Sequence, residues 1–520
     1  MDKKRVDELT YAGLWLILTE ALFAYHFFIA RFDGITYDSS YQYFLNLHSW
    51  KEIFTLIPQD YSPPLYPIML KAFSSIFGTE LPVLRSFSIL FLSLLLLFAL
   101  FPLRRLMGKE CALLSVVLFF TSAYNLNFIC EIRPTVPAYV FSTGMIIYFM
   151  LAFFHDLKKD YIAFTVLALL CMYTHNVSLI FTFCVYLVAL TSCVIKKRKV
   201  ALIRFLISGI SVAVLYIPWL IILIKQFGNA SEHFWEEKQS LLYALSIVFI
   251  DYVDNINYSM LSIPVIILLV FLPLINVIFL ISKDKYKKAR RISDLITPDQ
   301  IRNGLANFDK GLFLLITILV SVIFFYLLTV VIIPIFAVRY FYIFSGAGII
   351  FVSCLATQSK GRRWIPGLLA VLMVITFGFN LFTTRASLIS CDEDRIYTDM
   401  EELSGDTPVF IHFHEHSVGI MSYTFPWGRH FVSPDTFTVL KTWDVFGVDL
   451  TELQDTDDIW NYTDEVYVFN YDYWDPVEKY PDYFDTNVII EPVGYYRMPY
   501  WKEVNFNYSE ATIYRVRRAD

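Results

Sequence analysis

The chain has 520 residues, of which 57% are hydrophobic, 18% aromatic and 17% charged, against about 45–50% apolar and about 25% charged in ordinary soluble domains. This composition argues against a soluble enzyme. The formal charge of −6 is unevenly spread: residues 386–520 hold 26 of the 48 acidic and 9 of the 42 basic groups, a net −17, and residues 1–385 carry +11.

Apolar runs long enough for a hydrocarbon core of about 30 Å fall near 9–30, 83–103, 110–124, 136–154, 161–174, 177–195, 200–224, 260–281, 311–333, 341–357 and 364–382, which predicts about eleven spans. The first run is too long for a signal-peptide core and lacks a small-residue cleavage site before Arg31, so it reads as a retained anchor. With the amino terminus inside, the inner loops collect 24 basic residues and the outer loops before residue 385 only 8. By the positive-inside rule that bias sets the orientation and places the acidic segment outside. The stretch 241–257 contains Asp251 and Asp254, each of which costs about 2.5–3.5 kcal/mol in mid-bilayer. It therefore reads as an interfacial helix, and a twelfth span there would also invert the charge bias of every later loop. Seven scattered cysteines (111, 130, 171, 184, 193, 354, 391) show no CxxC pair or metal-ligand spacing and read as small packing residues.

Residues 386–520 alternate short apolar runs with turn signals: a helical stretch near 393–403 and strands at 408–413, 465–471 and 512–518. The expectation is a polytopic membrane domain over 1–385, with a long first outer loop at 31–82, joined to a small extracytoplasmic α/β domain over 386–520. Within the latter, His412-Phe413-His414-Glu415-His416 would put three imidazoles on one face only if the strand ran on. The strand reads as ending near His412, which favours structural histidines over a metal site. The aromatic, acidic run at 470–485 has a composition that can stack on sugar rings, although such side chains more often fill a core. It suggests that the domain helps receive an acceptor. Five N-x-S/T sequons, at Asn176, Asn229, Asn257, Asn461 and Asn507, fall on the expected outside.

Ionisable groups gather at the outer ends of the spans. The first outer loop carries Tyr37-Asp38-Ser39-Ser40-Tyr41 and Asp60-Tyr61-Ser62-Pro63-Pro64-Leu65-Tyr66, and Arg85 opens the second span. Later outer loops give Glu131-Ile132-Arg133-Pro134, Tyr173-Thr174-His175-Asn176 and Arg339-Tyr340. A carboxylate facing several cations suits transfer from an anionic lipid. Guanidinium groups hold a phosphate bidentately and steady its charge as it leaves, while the carboxylate takes a proton from the attacking group. A single arginine is as well read as a snorkelling helix-end residue, but four cationic positions in one plane are harder to dismiss.

In their order along the chain these segments resemble the GT-C glycosyltransferases of the dolichyl-phosphate-mannose protein mannosyltransferase type and their bacterial relatives. The matching elements are YDSSYQYF, SPPLYPIMLKAFSSIFG, LRSFSIL, EIRPTVPAY, MYTHN and PIFAVRYFYIF. The resemblance implies a GT-C-like fold and a sugar donor linked to dolichyl or undecaprenyl phosphate. It also implies transfer to a protein, lipid or surface-polysaccharide hydroxyl with inversion at the anomeric carbon. Asp38 takes the place of the family's catalytic carboxylate and Arg339 that of a donor-phosphate ligand. Arg85, Arg133 and His175 are further candidates for phosphate or first-loop contacts, Tyr340 is a weaker phosphate candidate, and Glu131 and Asp60 are supporting acids. Many relatives have Asp-Glu where this chain has Asp38-Ser39, so a second acid would have to come from Asp33, Asp60 or Glu131. They often have His before the two prolines, where Tyr61-Ser62 stand here.

Asp38 could also help hold Mg²⁺ or Mn²⁺, although no second ligand is evident. No nucleotide-sugar, Walker or GxGxxG signature occurs, and nothing points to nucleic acid. The alternative is a transporter or flippase of lipid-linked saccharides, which predicts repeated halves and mid-span charges. A receptor scaffold would leave Asp38 without a task. The membrane follows the source: the plasma membrane in a bacterium, the endoplasmic reticulum in a eukaryote.

Overall fold

The computed structural model describes residues 3–29, 34–59, 62–230, 239–254, 260–271, 298–331, 336–358, 364–404, 407–438, 442–447, 450–471, 477–502 and 505–519. In the membrane part the helices are α1 (Lys3–Ile29), α2 (Tyr37–Leu47), α3 (Trp50–Leu56), α4 (Leu65–Phe77), α5 (Leu81–Phe98), α6 (Lys109–Phe120), α7 (Ala123–Phe128) and α8 (Thr135–His155). They continue with α9 (Lys158–Thr174), α10 (Asn176–Ile195), α11 (Lys199–Ala230), α12 (Leu241–Phe249), α13 (Pro298–Val331), α14 (Val338–Thr357) and α15 (Trp364–Ile389). A π turn around Pro102, which has no N–H to donate, carries α5 on to Met107.

Among the described residues eight helices are long and apolar enough to cross a membrane: α1, α5, α8, α10, α11, α13, α14 and α15. Two other expected spans, 110–124 and 161–174, are helices of 12 and 17 residues, and 260–281 is described only as far as 271. Burial separates the eight by position. The apolar window of α8 is 94% buried, which makes it a central helix, whereas that of α11 is 22% buried and turns most of its Ile and Leu outward, as a lipid-facing helix does.

The segment read as an interfacial helix enters the protein instead. In α12, Ala244, Ile247 and Val248 are buried, and the turn after it buries Asp251 and Asp254. The Val248 carbonyl oxygen sits 2.1 Å from where a Cβ on Gly348 would lie. Gly348 is ten residues into α14, about 15 Å below its start at 1.5 Å per residue. The two acids thus avoid lipid by facing protein; Asp251, for one, accepts a hydrogen bond from Ser246 Oγ at 3.0 Å. α12 does not span, as expected, but neither does it lie flat.

Beyond α15 come α16 (Glu393–Ser404), β1 (Val409–His414), α17 (Glu415–Thr424), β2 (Arg429–Phe437), β3 (Leu450–Glu452), β4 (Glu465–Tyr471), β5 (Val488–Lys502) and β6 (Asn505–Arg518). The six strands form one sheet in the order β3-β2-β1-β4-β6-β5. β1 pairs in parallel with β2 and β4, and β6 pairs antiparallel with β4 and β5. Alternation along β1 feeds a core on each face, with Phe410 packed in one and Ile411 and Phe413 in the other. This is the expected α/β domain.

Candidate active site

The site is built around the first turn of α2. Thr36 occupies the N-cap in extended conformation, yet its hydroxyl does not cap the helix. It donates to Glu131 Oε1 at 2.8 Å, and Ser39 Oγ donates to Glu131 Oε2 at 3.3 Å. Ser39 Oγ also accepts from the Ile132 N–H at 3.1 Å. The first outer loop is thereby fastened to the second at one buried carboxylate, Glu131 being 2% exposed.

Asp38 points away from this knot. Its Oδ2 is ion-paired to Arg133 Nη1 and lies 3.7 Å from Arg339 Nη1. Arg133 comes from the loop before α8 and Arg339 from the first turn of α14, so three separate segments meet at one carboxylate. The Arg339 guanidinium also lies 5.5 Å from the centre of the Tyr340 ring. Tyr340 in turn meets His175 edge-on at 5.4 Å. His175 is the N-cap of α10 and accepts the Val177 N–H on Nδ1 at 3.2 Å, which leaves the ring proton of the neutral imidazole on Nε2.

Electrostatics divides the titratable groups. Burial alone would push the Asp38 carboxyl up, but Arg133, Arg339 and His416 outweigh it and hold the group below the usual Asp value. Glu131 goes the other way: burial raises it, Asp38's charge adds to the rise, and the pull of Arg133 does not offset them. Burial, with Arg133 and Arg339 adding to it, pushes His175 down to about 3.

Most of the sequence candidates converge here: Asp38, Arg133, His175, Arg339 and Tyr340 form one cluster, with Glu131 behind it. Arg85 stands apart, fully buried in α5, and donates from Nη2 to the Gly34 carbonyl at 2.5 Å. Of the two contacts considered for it, the structure gives it the one to the first loop. Asp60 and Asp33 lie outside the described residues. With Asp38 engaged by two guanidinium groups, the residues present do not fit a cation site, and among the described residues no three His, Cys, Asp or Glu are arranged to hold a metal.

The residue that sequence reasoning missed is His416. β1 runs on to His414, two residues beyond the expected end, and α17 then carries the His416 ring onto Tyr37, with centroids 4.3 Å apart and planes at 30°. The three-imidazole run was the available signal, but it pointed to a metal rather than to a partner of α2. His412, by contrast, is structural: it is buried, with Nδ1 2.9 Å from Ser417 Oγ and Nε2 3.1 Å from His430 Nδ1. In the aromatic run at 470–485, Tyr471, Tyr480 and Phe484 are buried in the sheet's cores, while 472–476 lie outside the described residues.

The class that follows is a polytopic membrane protein with the GT-C glycosyltransferase fold and an α/β carboxy-terminal domain. Residues 61–222 match the family model described as dolichyl-phosphate-mannose-protein mannosyltransferase, a segment that carries Arg85, Glu131, Arg133 and His175. The crystal structure of ArnT from Cupriavidus metallidurans in the apo state matches with a TM-score of 0.61 at 10% identity, covering 97% of this chain and 98% of that one. The same protein bound to undecaprenyl phosphate matches with a TM-score of 0.56 at 10% identity, over 99% of this chain and 98% of that one. At that identity the likeness is one of fold. A sequence comparison with curated proteins finds no match.

Proposed function

We propose that this protein is an integral membrane glycosyltransferase that moves a sugar from a polyprenyl-phosphate carrier to an acceptor hydroxyl at the outer membrane face. The observation that carries this reading is one carboxylate, Asp38, held between Arg133 and Arg339 at the ends of different segments. The fold shared with ArnT, a protein also crystallised with undecaprenyl phosphate, supports a lipid-linked donor.

Asp38 accepts the proton of the acceptor hydroxyl as its oxygen attacks the anomeric carbon. The bond from that carbon to the phosphate oxygen breaks, its electron pair leaves with the lipid phosphate, and configuration inverts. Arg339, with Arg133 beside it, offsets the charge that develops on the phosphate. A phosphate at these guanidinium groups competes with Asp38 for them, which restores basicity to the carboxylate when the donor is in place. His175 and Tyr340 border the same phosphate position, and His175 offers it a neutral N–H. The acceptor is a protein, lipid or surface-polysaccharide hydroxyl. The site faces outward from a bacterial plasma membrane or into the lumen of the endoplasmic reticulum.

The test is donor consumption in membranes containing wild type or Asp38→Asn, with a panel of polyprenyl-phosphate sugars and total glycolipid and glycoprotein acceptors, read by mass spectrometry. Wild type should consume one donor and the variant should spare it. Equal consumption by both overturns the role of Asp38, and none by either favours a transporter of lipid-linked saccharides.

A further inference from the structure

In open α/β sheets, ligands bind outside the carboxyl ends of parallel strands, where the path of the chain across the sheet reverses. β1 is that strand here, with β2 parallel on one side and β4 on the other. Its carboxyl end leads through His414 into α17, and this edge is seated on α2. The Tyr37–His416 stack is one contact. Tyr43 also meets Tyr423 edge-on at 5.1 Å, and His48 Nε2 lies 2.9 Å from the Val445 carbonyl oxygen. Gly419 lacks the Cβ that would come within 2.3 Å of Ser40 Oγ. The edge of the domain suited to ligands is thus pressed, without room for a methyl group, against the helix that bears Asp38.

We propose that the C-terminal domain forms one wall of the transfer site and that His416 is a positioning residue for Asp38, acting on its carboxylate across the α2–α17 interface. This rests on the transferase reading above. The groups facing His416 are His414 at the start of its own helix, Asp38 from α2, Arg339 from α14 and Arg133 from the loop before α8. Those facing Asp38 are Arg133, Arg339 and His416, with Glu131 behind it. Burial, with His414 and the two arginines, presses His416 down to about 3, while Asp38 pulls it up. His416 acts on Asp38 in the same sense as the arginines, favouring the ionised form. Its removal leaves Asp38 easier to protonate.

The informative variant is His416→Phe, which keeps a ring on Tyr37 and removes the imidazole. Under the proposal kcat falls about tenfold or more, KM for the donor stays within about twofold because both arginines remain, and the acid limb of kcat/KM moves to higher pH. Wild-type kcat and an unmoved acid limb would mean that the ring only packs, and would overturn the proposal. A second readout needs no turnover: carbodiimide modification of Asp38, followed by peptide mass spectrometry across pH, reports protonation of that carboxyl. Its onset should move to higher pH in His416→Phe, and an unchanged onset overturns the coupling. If wild type consumes no donor while the onset still moves, the transferase reading fails and the coupling between the two residues stands.

Discussion

Two carboxylates lie close together at this site in opposite environments, and the contrast assigns them different work. Asp38 faces guanidinium groups and is held low, whereas Glu131 is buried against hydroxyls and pushed up. The proposed reaction needs Asp38 ionised, so activity is lost as pH falls through its pKa. Arg133→Gln removes the contact ion pair and should move that acid limb to higher pH, as kcat/KM profiles will show. Arg339→Gln should act mainly on the phosphate and cost about 10²–10³-fold in kcat, with the limb moving less because this cation stands farther from Asp38. Glu131 predicts a change in stability rather than rate. A carboxyl raised on folding disfavours its own ionised form, so wild type loses stability as pH rises from the unfolded value of about 4.3 through the folded one. Glu131→Gln cannot ionise and can still accept a hydroxyl hydrogen bond. Its melting temperature in detergent should therefore change less between pH 4 and pH 7.5 than that of wild type, and an equally steep fall would place the titration elsewhere.

Among the elements, close approach decides what can move. α12 rests its Val248 carbonyl where Gly348 has no side chain, and backbone cannot step aside as a flexible side chain can. Gly348→Ala should therefore destabilise the membrane domain by about 1–3 kcal/mol. Gly378 in α15 has nothing within 4 Å of the same position, and Gly378→Ala should be neutral or stabilising by about 0.4–1 kcal/mol. Thermal unfolding of the two variants side by side checks the contrast, and equal effects would sink it. The same contact explains why the depth of α12 could not be read in advance. Hydropathy charges Asp251 and Asp254 as though lipid surrounded them, and a single sequence does not reveal that helices do. The elements of the outer face were legible for the converse reason. Asp38, Arg133, His175 and Arg339 each stand at the end of an apolar run, where a charge is conspicuous and its depth is set by the run itself. His416 has no such marker, because a histidine after a strand in a polar domain is ordinary and its partner Tyr37 belongs to the other domain.

For the whole molecule, the division of charge carries the largest claim. The −17 of residues 386–520 and the +11 of residues 1–385 belong to two architectures, a sheet domain and a helical bundle, which meet at α2 and α17. The proposed chemistry requires that junction to lie on the outer face, where the loops before residue 385 are poor in Lys and Arg. Single cysteines decide this directly. Cys111, Cys130, Cys171, Cys184, Cys193 and Cys354 are buried, and only Cys391 is half-exposed. A Cys391→Ser background therefore leaves little to react with a membrane-impermeant maleimide. Asp482→Cys, exposed on the sheet domain, should then label in intact cells or sealed vesicles of known orientation. Lys159→Cys, exposed at the start of α9, should label only after permeabilisation. The reverse pattern would put Asp38, Arg133 and Arg339 on the cytoplasmic side, because α2 and the sheet domain are packed together and must share a face. A lipid-phosphate sugar would then have to be used where it is made, and the case for transfer at the outer face would fall with the orientation.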